Sequence, residues 1–282
     1  MCVALHARVS RHSLTANDGG NVSKRTGLLL KFDSDAPKSG PNSAGKMLLQ
    51  YSPGRSGSTL LYQVLTQLGV NVHKTHECHY LDGKVVISYR HPCDIYCSFF
   101  RISRDLNGDD DLRAMMRQTM NPTVWWIMLR GVRYVRKGFW RLQKYLDSDM
   151  DTCLLRYARF KDNYDYLFDR LESFLQFPID RATRDRIESK TSFVKHKSVS
   201  SAYSTFKEFD QKTLLHGKHL GSGAAGQWYY VCPSWMRRFL MHALAAEIDL
   251  YHRLAESHDA IPEQRLLWHK GESQATPLRE TA

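Results

Sequence analysis

Short apolar runs alternate along this chain with stretches whose apolar residues recur every three or four positions, beginning at about Lys46. Met47, Leu48 and Leu49 form a run that ends at Pro53 and Gly54, which predicts a β-strand. From Thr59 onward, Leu60, Leu61, Val64, Leu65 and Leu68 recur at helical spacing until Gly69 supplies a stop. Val70 and Val72 predict a second strand, and Val85–Tyr89 a third. A helix follows the third strand, with Pro92 in its first turn and Asp94 placed to complement its dipole. Residues 124–145 read as one long helix carrying both aromatic rings and cations. Alternating strands and helices predict a three-layer α/β domain with a short central parallel β-sheet flanked by helices.

The flanks read differently. Residues 1–45 are rich in Ser, Asn, Gly and Lys and lack periodicity, so they are expected to be a flexible N-terminal arm. The residues from about Pro262 to the end read as a tail, leaving 46–261 as the α/β domain. The first 17 residues carry Arg, His and Ser but no acid, a faint feature of organelle transit peptides. No run approaches the roughly 18–20 apolar residues of a membrane helix, and no secretory h-region is visible. The six cysteines form no CxxC pair, which favours free thiols in a reducing compartment, and a cytoplasmic protein is expected. A net charge of +11 favours an anionic ligand, a nucleic acid or an acidic surface without choosing among them.

Chemistry concentrates at three places. In "YSPGRSGSTLL" (51–61) a Gly/Ser turn joins the first strand to the first helix. Such a unit aims free backbone N–H groups and the positive end of a helix dipole at one point, an anion site. Arg55 adds a fixed cation; Ser56, Gly57, Ser58 and Thr59 add backbone donors, and Ser58 and Thr59 two hydroxyls at the turn's exit. It is not a Walker A loop, because only Arg55 and Ser56 separate Gly54 from Gly57 and no lysine precedes Ser58. A plain surface turn is the competing reading. In "VNVHKTHECHY" (70–80) the second strand would deliver Lys74 and His76 at its carboxyl end, on the same side of an extended chain. Zinc held by His73, His76, Cys78 and His79 competes, but no second ligand pair appears and no metal is expected. In "YRHPCDIYCSFFR" (89–101), Arg90 at the strand end and Ser98 in the helix could reach one second anion. Alternatively Arg90 merely pairs with Asp94 and Ser98 merely packs.

Together these clusters resemble the sulfotransferases that use 3′-phosphoadenosine 5′-phosphosulfate (PAPS), specifically the branch with a Lys-x-His element. "GRSGSTLL" is similar to the family's 5′-phosphosulfate loop, "YRHPCDIYCSFFR" to its 3′-phosphate motif and "KTH" to the Lys-x-His element. Further along, "LLRYARFKDNYDYLFDRLESFL" (154–175) resembles the strand–Tyr–helix unit after the 3′-phosphate motif. "KTSFVKHKSVSSAYST" (190–205) resembles the Thr-Ser-Phe stretch beside the adenine, and "GSGAAGQW" (221–228) the late Gly-x-x-Gly-(Asp/Gln)-Trp element. The resemblance runs in the family's order from about Lys46 to about Trp235.

It implies a P-loop-like fold, PAPS as co-substrate without a metal, and sulfuryl transfer to an acceptor hydroxyl or amine on a small molecule or carbohydrate. Arg55 and Lys74 would stabilise the charge that develops on the transferring group, and Ser58 and Thr59 would hold the 5′-phosphate. Arg90 and Ser98 would hold the 3′-phosphate; Tyr157, Thr191 and Phe193 would lie beside the adenine, and Gly223 belongs to the late element. His76 is the candidate general base, with Glu77 as the alternate. Two departures stand out: Gly221-Ser222 replaces the family's Arg-Lys, with Lys218 and His219 nearby, and Ala158-Arg159 replaces its acidic pair.

In residues 110–145, expected to be a helical insertion near the acceptor side, Arg130, Arg133, Lys137, Arg141 and Lys144 recur every three or four positions. They read as a solvated face or, with Trp125 and Trp126, as a surface for a polyanionic or sugar acceptor. Two other functions compete: a P-loop nucleotide kinase, which lacks its Gly-Lys-Ser/Thr here, and a noncatalytic basic module binding polyanions. No nucleic-acid partner is expected, and the oligomeric state is open.

Overall fold

The computed structural model describes residues 47–78, 83–104, 106, 109–118, 121–206, 208–210, 213–217 and 223–258. The expected arm (1–45) and tail (262–282) lie outside the described residues, as do His79, Lys218, His219, Gly221 and Ser222.

Four strands form one parallel sheet: β1 (Leu48–Tyr51), β2 (Val72–Thr75), β3 (Lys84–Tyr89) and β4 (Asp151–Arg156), in the order β2-β1-β3-β4. Helix α1 (Ser58–Gln67) connects β1 to β2. Between β3 and β4 come α2 (Pro92–Ser103), α3 (Asp109–Met116) and α4 (Pro122–Leu146). After β4 follow α5 (Tyr157–Phe160), α6 (Tyr164–Leu175), α7 (Arg181–Thr191) and α8 (Phe193–Ser201). The described chain ends with α9 (Gln227–Val231), α10 (Ser234–Ala243) and α11 (Ala245–His258).

The apolar runs of the central strands are nearly continuous because both faces of the sheet are covered. Leu49, Tyr51, Val85, Ile87, Tyr89 and Leu154 face a core shared with α2, α4, α10 and α11. Leu48, Val86, Cys153 and Leu155 face the opposite core, shared with α1, α6 and α7. This is the three-layer α/β arrangement expected from the pattern.

Local chemistry sets the helix starts. The Asn121 side chain accepts a hydrogen bond from Thr123 N–H, and Pro122 occupies the first turn of α4. His91 caps α2 in the same way through Cys93 N–H, at 3.3 Å. The 110–145 segment is built as α3 and α4, and α4 lies in the main core. Its Ile127, Met128, Val135, Phe139 and Leu142 are buried, and the Tyr51 hydroxyl donates to Gly138 O at 2.7 Å.

Candidate functional site

All four strands deliver residues at their carboxyl ends to one cavity of about 470 Å³, the position where ligands bind in open α/β sheets. After β1 the chain turns through Pro53–Gly57, with Arg55 at φ 71° and Gly57 at φ 88°. Gly57 has no alternative: a Cβ there would sit 2.5 Å from Tyr157 Cδ2. A Cβ at Gly54 would overlap the Tyr134 hydroxyl. The Ser56 hydroxyl points inward, 2.6 Å from Pro53 O and 3.0 Å from Ser88 O, so it braces the turn. The Gln50 amide ties the turn's far end by donating to Ser58 O at 2.9 Å.

Gly57 caps α1 without a side-chain hydrogen bond, and no acid lies in that helix's first turn. The first N–H groups of a helix have no intrahelical partner, so this terminus remains receptive to an anion. Around it stand Arg55, Lys74, Arg90, Arg101 and Lys161, and no Asp or Glu is among the described lining residues. Arg55 Nε donates to Ser98 Oγ at 3.1 Å, joining the loop to α2. Lys74 Nζ donates to Thr59 Oγ1 at 3.2 Å. Burial, reinforced by the neighbouring arginines, pulls the Arg55 pKa down to about 10. Burial and then Arg55 pull Lys74 down to about 8. Burial likewise lowers Arg101, with Arg90 adding to the effect and Asp109 opposing it.

Arg90 does more than pair with Asp94. Its Nε lies 3.8 Å from the Asp94 carboxylate and has no hydrogen-bond partner, while Nη2 donates to Ala224 O at 3.1 Å. Asp94 itself accepts from Gly226 N–H at 2.9 Å and Trp228 N–H at 3.1 Å, fixing the start of α9. The Arg90 guanidinium stacks 4.7 Å from the Tyr157 ring centre.

His76 follows β2 and lines the cavity, its ring part-buried against the loop after β1. Its Nδ1 lies 2.8 Å from Ser52 O. A carbonyl only accepts, so Nδ1 carries the hydrogen and Nε2 keeps its lone pair. Burial lowers the pKa of the ring, and Lys74, Arg55 and Arg141 lower it further against the Ser52 hydrogen bond. The imidazole is therefore neutral at neutral pH, as a general base must be. Glu77 is held by Arg141 and does not line the cavity.

At the far end Tyr157, Thr191, Phe193 and Gly223 line the same cavity. Thr191 is fixed at the end of α7, where its carbonyl accepts from the Tyr164 hydroxyl at 2.7 Å. Of the residues expected to bind the donor or act in catalysis, Arg55, Gly57, Ser58, Thr59, Lys74, His76, Arg90, Ser98, Tyr157, Thr191, Phe193 and Gly223 line the cavity, while Ser56 and the alternate base Glu77 do not.

Among solved structures, the chain is similar to mouse sulfotransferase SULT7A1, crystallised in complex with PAP. The TM-score is 0.52 at 14% sequence identity, over 75% of this chain and 88% of that one. The fold is a sulfotransferase-like α/β fold. No protein-family model and no curated protein sequence matches the chain.

Several cavity residues were not legible in the sequence. Arg101 lies one turn beyond Ser98 on α2, and that spacing was the available signal. Tyr134 comes from α4, His196 from α8, and Phe206 and His216 from the segment after α8. His216 Nδ1 lies 2.9 Å from Phe206 O, which leaves this ring in the same tautomer as His76. Among the described residues no group of three or more His, Cys, Asp or Glu could hold a metal ion.

Proposed function

We propose that this chain is a PAPS-dependent sulfotransferase acting on a hydroxyl or amine of a small-molecule or carbohydrate acceptor. The observation that carries the reading is the cavity itself: buried cations and an uncapped helix N-terminus, without a carboxylate among the described lining residues, beside a neutral imidazole. Such a site is electrostatically incomplete without a polyanion.

In this reading the α1 terminus, Ser58 and Thr59 hold the 5′-phosphate, while Arg90 and Ser98 hold the 3′-phosphate. Gly57, Tyr157, Thr191, Phe193 and Gly223 shape the nucleoside side, with Arg101 as an additional cation. Ser56 serves through the backbone of the braced turn. His76 Nε2 takes the acceptor proton as the acceptor oxygen or nitrogen bonds to sulfur, and the bond from sulfur to the 5′-phosphate oxygen breaks. Arg55 and Lys74 stabilise the charge that grows on the sulfuryl group and on the departing phosphate. The lack of Asp or Glu among the described lining residues argues against a magnesium-nucleotide kinase, which needs carboxylates to hold its metal. A cytoplasmic setting accords with the free thiols Cys78, Cys93, Cys97, Cys153 and Cys232.

Calorimetric titration with 3′,5′-bisphosphoadenosine, without magnesium, tests the reading. Wild type binds, and Arg90→Ala binds about 100-fold more weakly, as expected for losing charge-assisted hydrogen bonds to a phosphate. Absence of binding by the wild type, with magnesium-dependent ATP binding in its place, would overturn it.

A further inference from the structure

The outer face of α4 is not used by the cavity. Along it Trp126, Arg130, Arg133, Lys137, Trp140 and Lys144 follow one another at alternating steps of four and three, all exposed. The whole helix from Pro122 to Leu146 contains no Asp or Glu. None of the four cations on this face makes an ion pair with an acid among the described residues. By contrast, Arg184 on α7 meets Asp165, Asp169 and Glu172, and Arg253 on α11 meets Asp249. The opposite side of α4 is core, so the helix cannot rotate to hide this stripe.

Large apolar groups lie within the same stripe. Trp126 is 56% exposed, Leu129 60% and Trp140 57%. The Arg130 guanidinium lies 4.4 Å from the Trp126 ring centre, and Lys144 Nζ lies 5.1 Å from that of Trp140. Each indole therefore carries a cation beside it, the pairing that suits a headgroup layer, with rings at the acyl boundary and cations at phosphate level. A bound sugar chain calls for side-chain acceptors for its hydroxyls and a groove to lie in. The stripe offers neither: it is indole, leucine, guanidinium and ammonium on the convex surface of a rod about 37 Å long. Charge and shape complement a flat anionic surface.

We propose that α4 docks this protein on an anionic lipid bilayer, with its axis in the membrane plane. Trp126, Leu129 and Trp140 enter the headgroup region, and Arg130, Arg133, Lys137 and Lys144 contact lipid phosphates and carboxylates. This inference does not depend on the sulfotransferase reading. No helix among the described residues is long and apolar enough to cross a membrane, so the attachment is peripheral and reversible.

The test is flotation of the full chain with vesicles of phosphatidylcholine containing 30 mol% phosphatidylserine, against phosphatidylcholine alone, at two salt concentrations. Wild type floats with the anionic vesicles, more weakly at high salt, with a blue shift of tryptophan emission. The exposed double variant Arg133→Gln/Lys137→Gln partitions roughly 25-fold less, from about fivefold per cation near an anionic leaflet. Trp126→Ala/Trp140→Ala loses the blue shift as well. Lys190→Gln/Lys197→Gln, the same charge change on α7 and α8, floats like wild type. Unchanged circular dichroism shows that each variant is folded. Equal flotation by both double charge variants would overturn the proposal, as would no flotation by the wild type. Retention on a heparin column without flotation would also overturn it, in favour of an acidic glycan.

Discussion

The cations of the cavity and those of the α6–α7 face differ in what balances them. Arg184 reaches Asp165, Asp169 and Glu172 at 3.6, 2.8 and 2.6 Å, and Arg181 reaches Asp165 and Asp185 at 3.1 and 2.9 Å. Hydrogen bonds and carboxylates raise the Arg184 pKa despite its desolvation. Arg55 and Lys74 move the other way, because burial and neighbouring cations dominate around them. The α6–α7 cluster is balanced by carboxylates within the protein. The cavity cluster is held at depressed pKa values by the fold, which is why, in the proposed reading, it is the cluster that an anionic ligand would relieve.

The largest expected effect that tests this contrast is on turnover. His76→Ala lowers the sulfuryl-transfer rate by ~10²–10⁴-fold, the usual worth of a general base, and leaves 3′,5′-bisphosphoadenosine affinity nearly unchanged. Steady-state kinetics beside calorimetry separate the two. Equal losses in both would make His76 a binding residue instead.

The pH dependence sharpens the comparison. A base must be neutral, so kcat/KM rises with pH through a His76 pKa that lies below the ordinary imidazole value of 6.5. Lys74 must be charged, so nucleotide affinity falls as pH rises through about 8. Below that pH the ammonium is present; above it the free protein loses the proton and binding must restore it. Lys74→Arg moves the alkaline limb upward, and calorimetry in buffers of different ionisation enthalpy reads proton uptake in the wild type. An alkaline limb that stays in place in Lys74→Arg would assign it to another group.

The smallest effect belongs to the balanced cluster. Arg184→Gln destabilises the fold by about 0.5–1 kcal/mol, because its carboxylate partners are largely exposed and screened. Thermal melts at low and high salt measure this, and nucleotide affinity stays within roughly twofold. A large loss of affinity would show that the two clusters are coupled.

Much of this site can be read from single stretches. Arg55, Gly57, Ser58 and Thr59 are local to one turn, Lys74 and His76 to one strand end, and Arg90 and Ser98 to one strand–helix junction. Their grouping follows from strand–helix periodicity, since parallel strands place their carboxyl ends together. The partners of α4 were less legible: in the sequence it reads as a basic outer face within a helical insertion, and the structure shows which core its inner Ile127, Val135 and Phe139 join. Apolar spacing shows that a helix has an inner face and does not show what that face meets.

By itself the sequence determined the α/β layering and the place of the Gly/Ser turn between β1 and α1, because both depend on residues within a few positions of one another. Tertiary structure alone decided the rest. It joined Arg55 to Ser98 across 43 positions, made Asp94 accept from the start of α9 as well as pair with Arg90, and brought Arg101, Tyr134, His196 and His216 to the cavity. It also set the depressed pKa values of Lys74 and His76. Desolvation and charge depend on what surrounds a group in space, and those neighbours come from segments far apart in the chain.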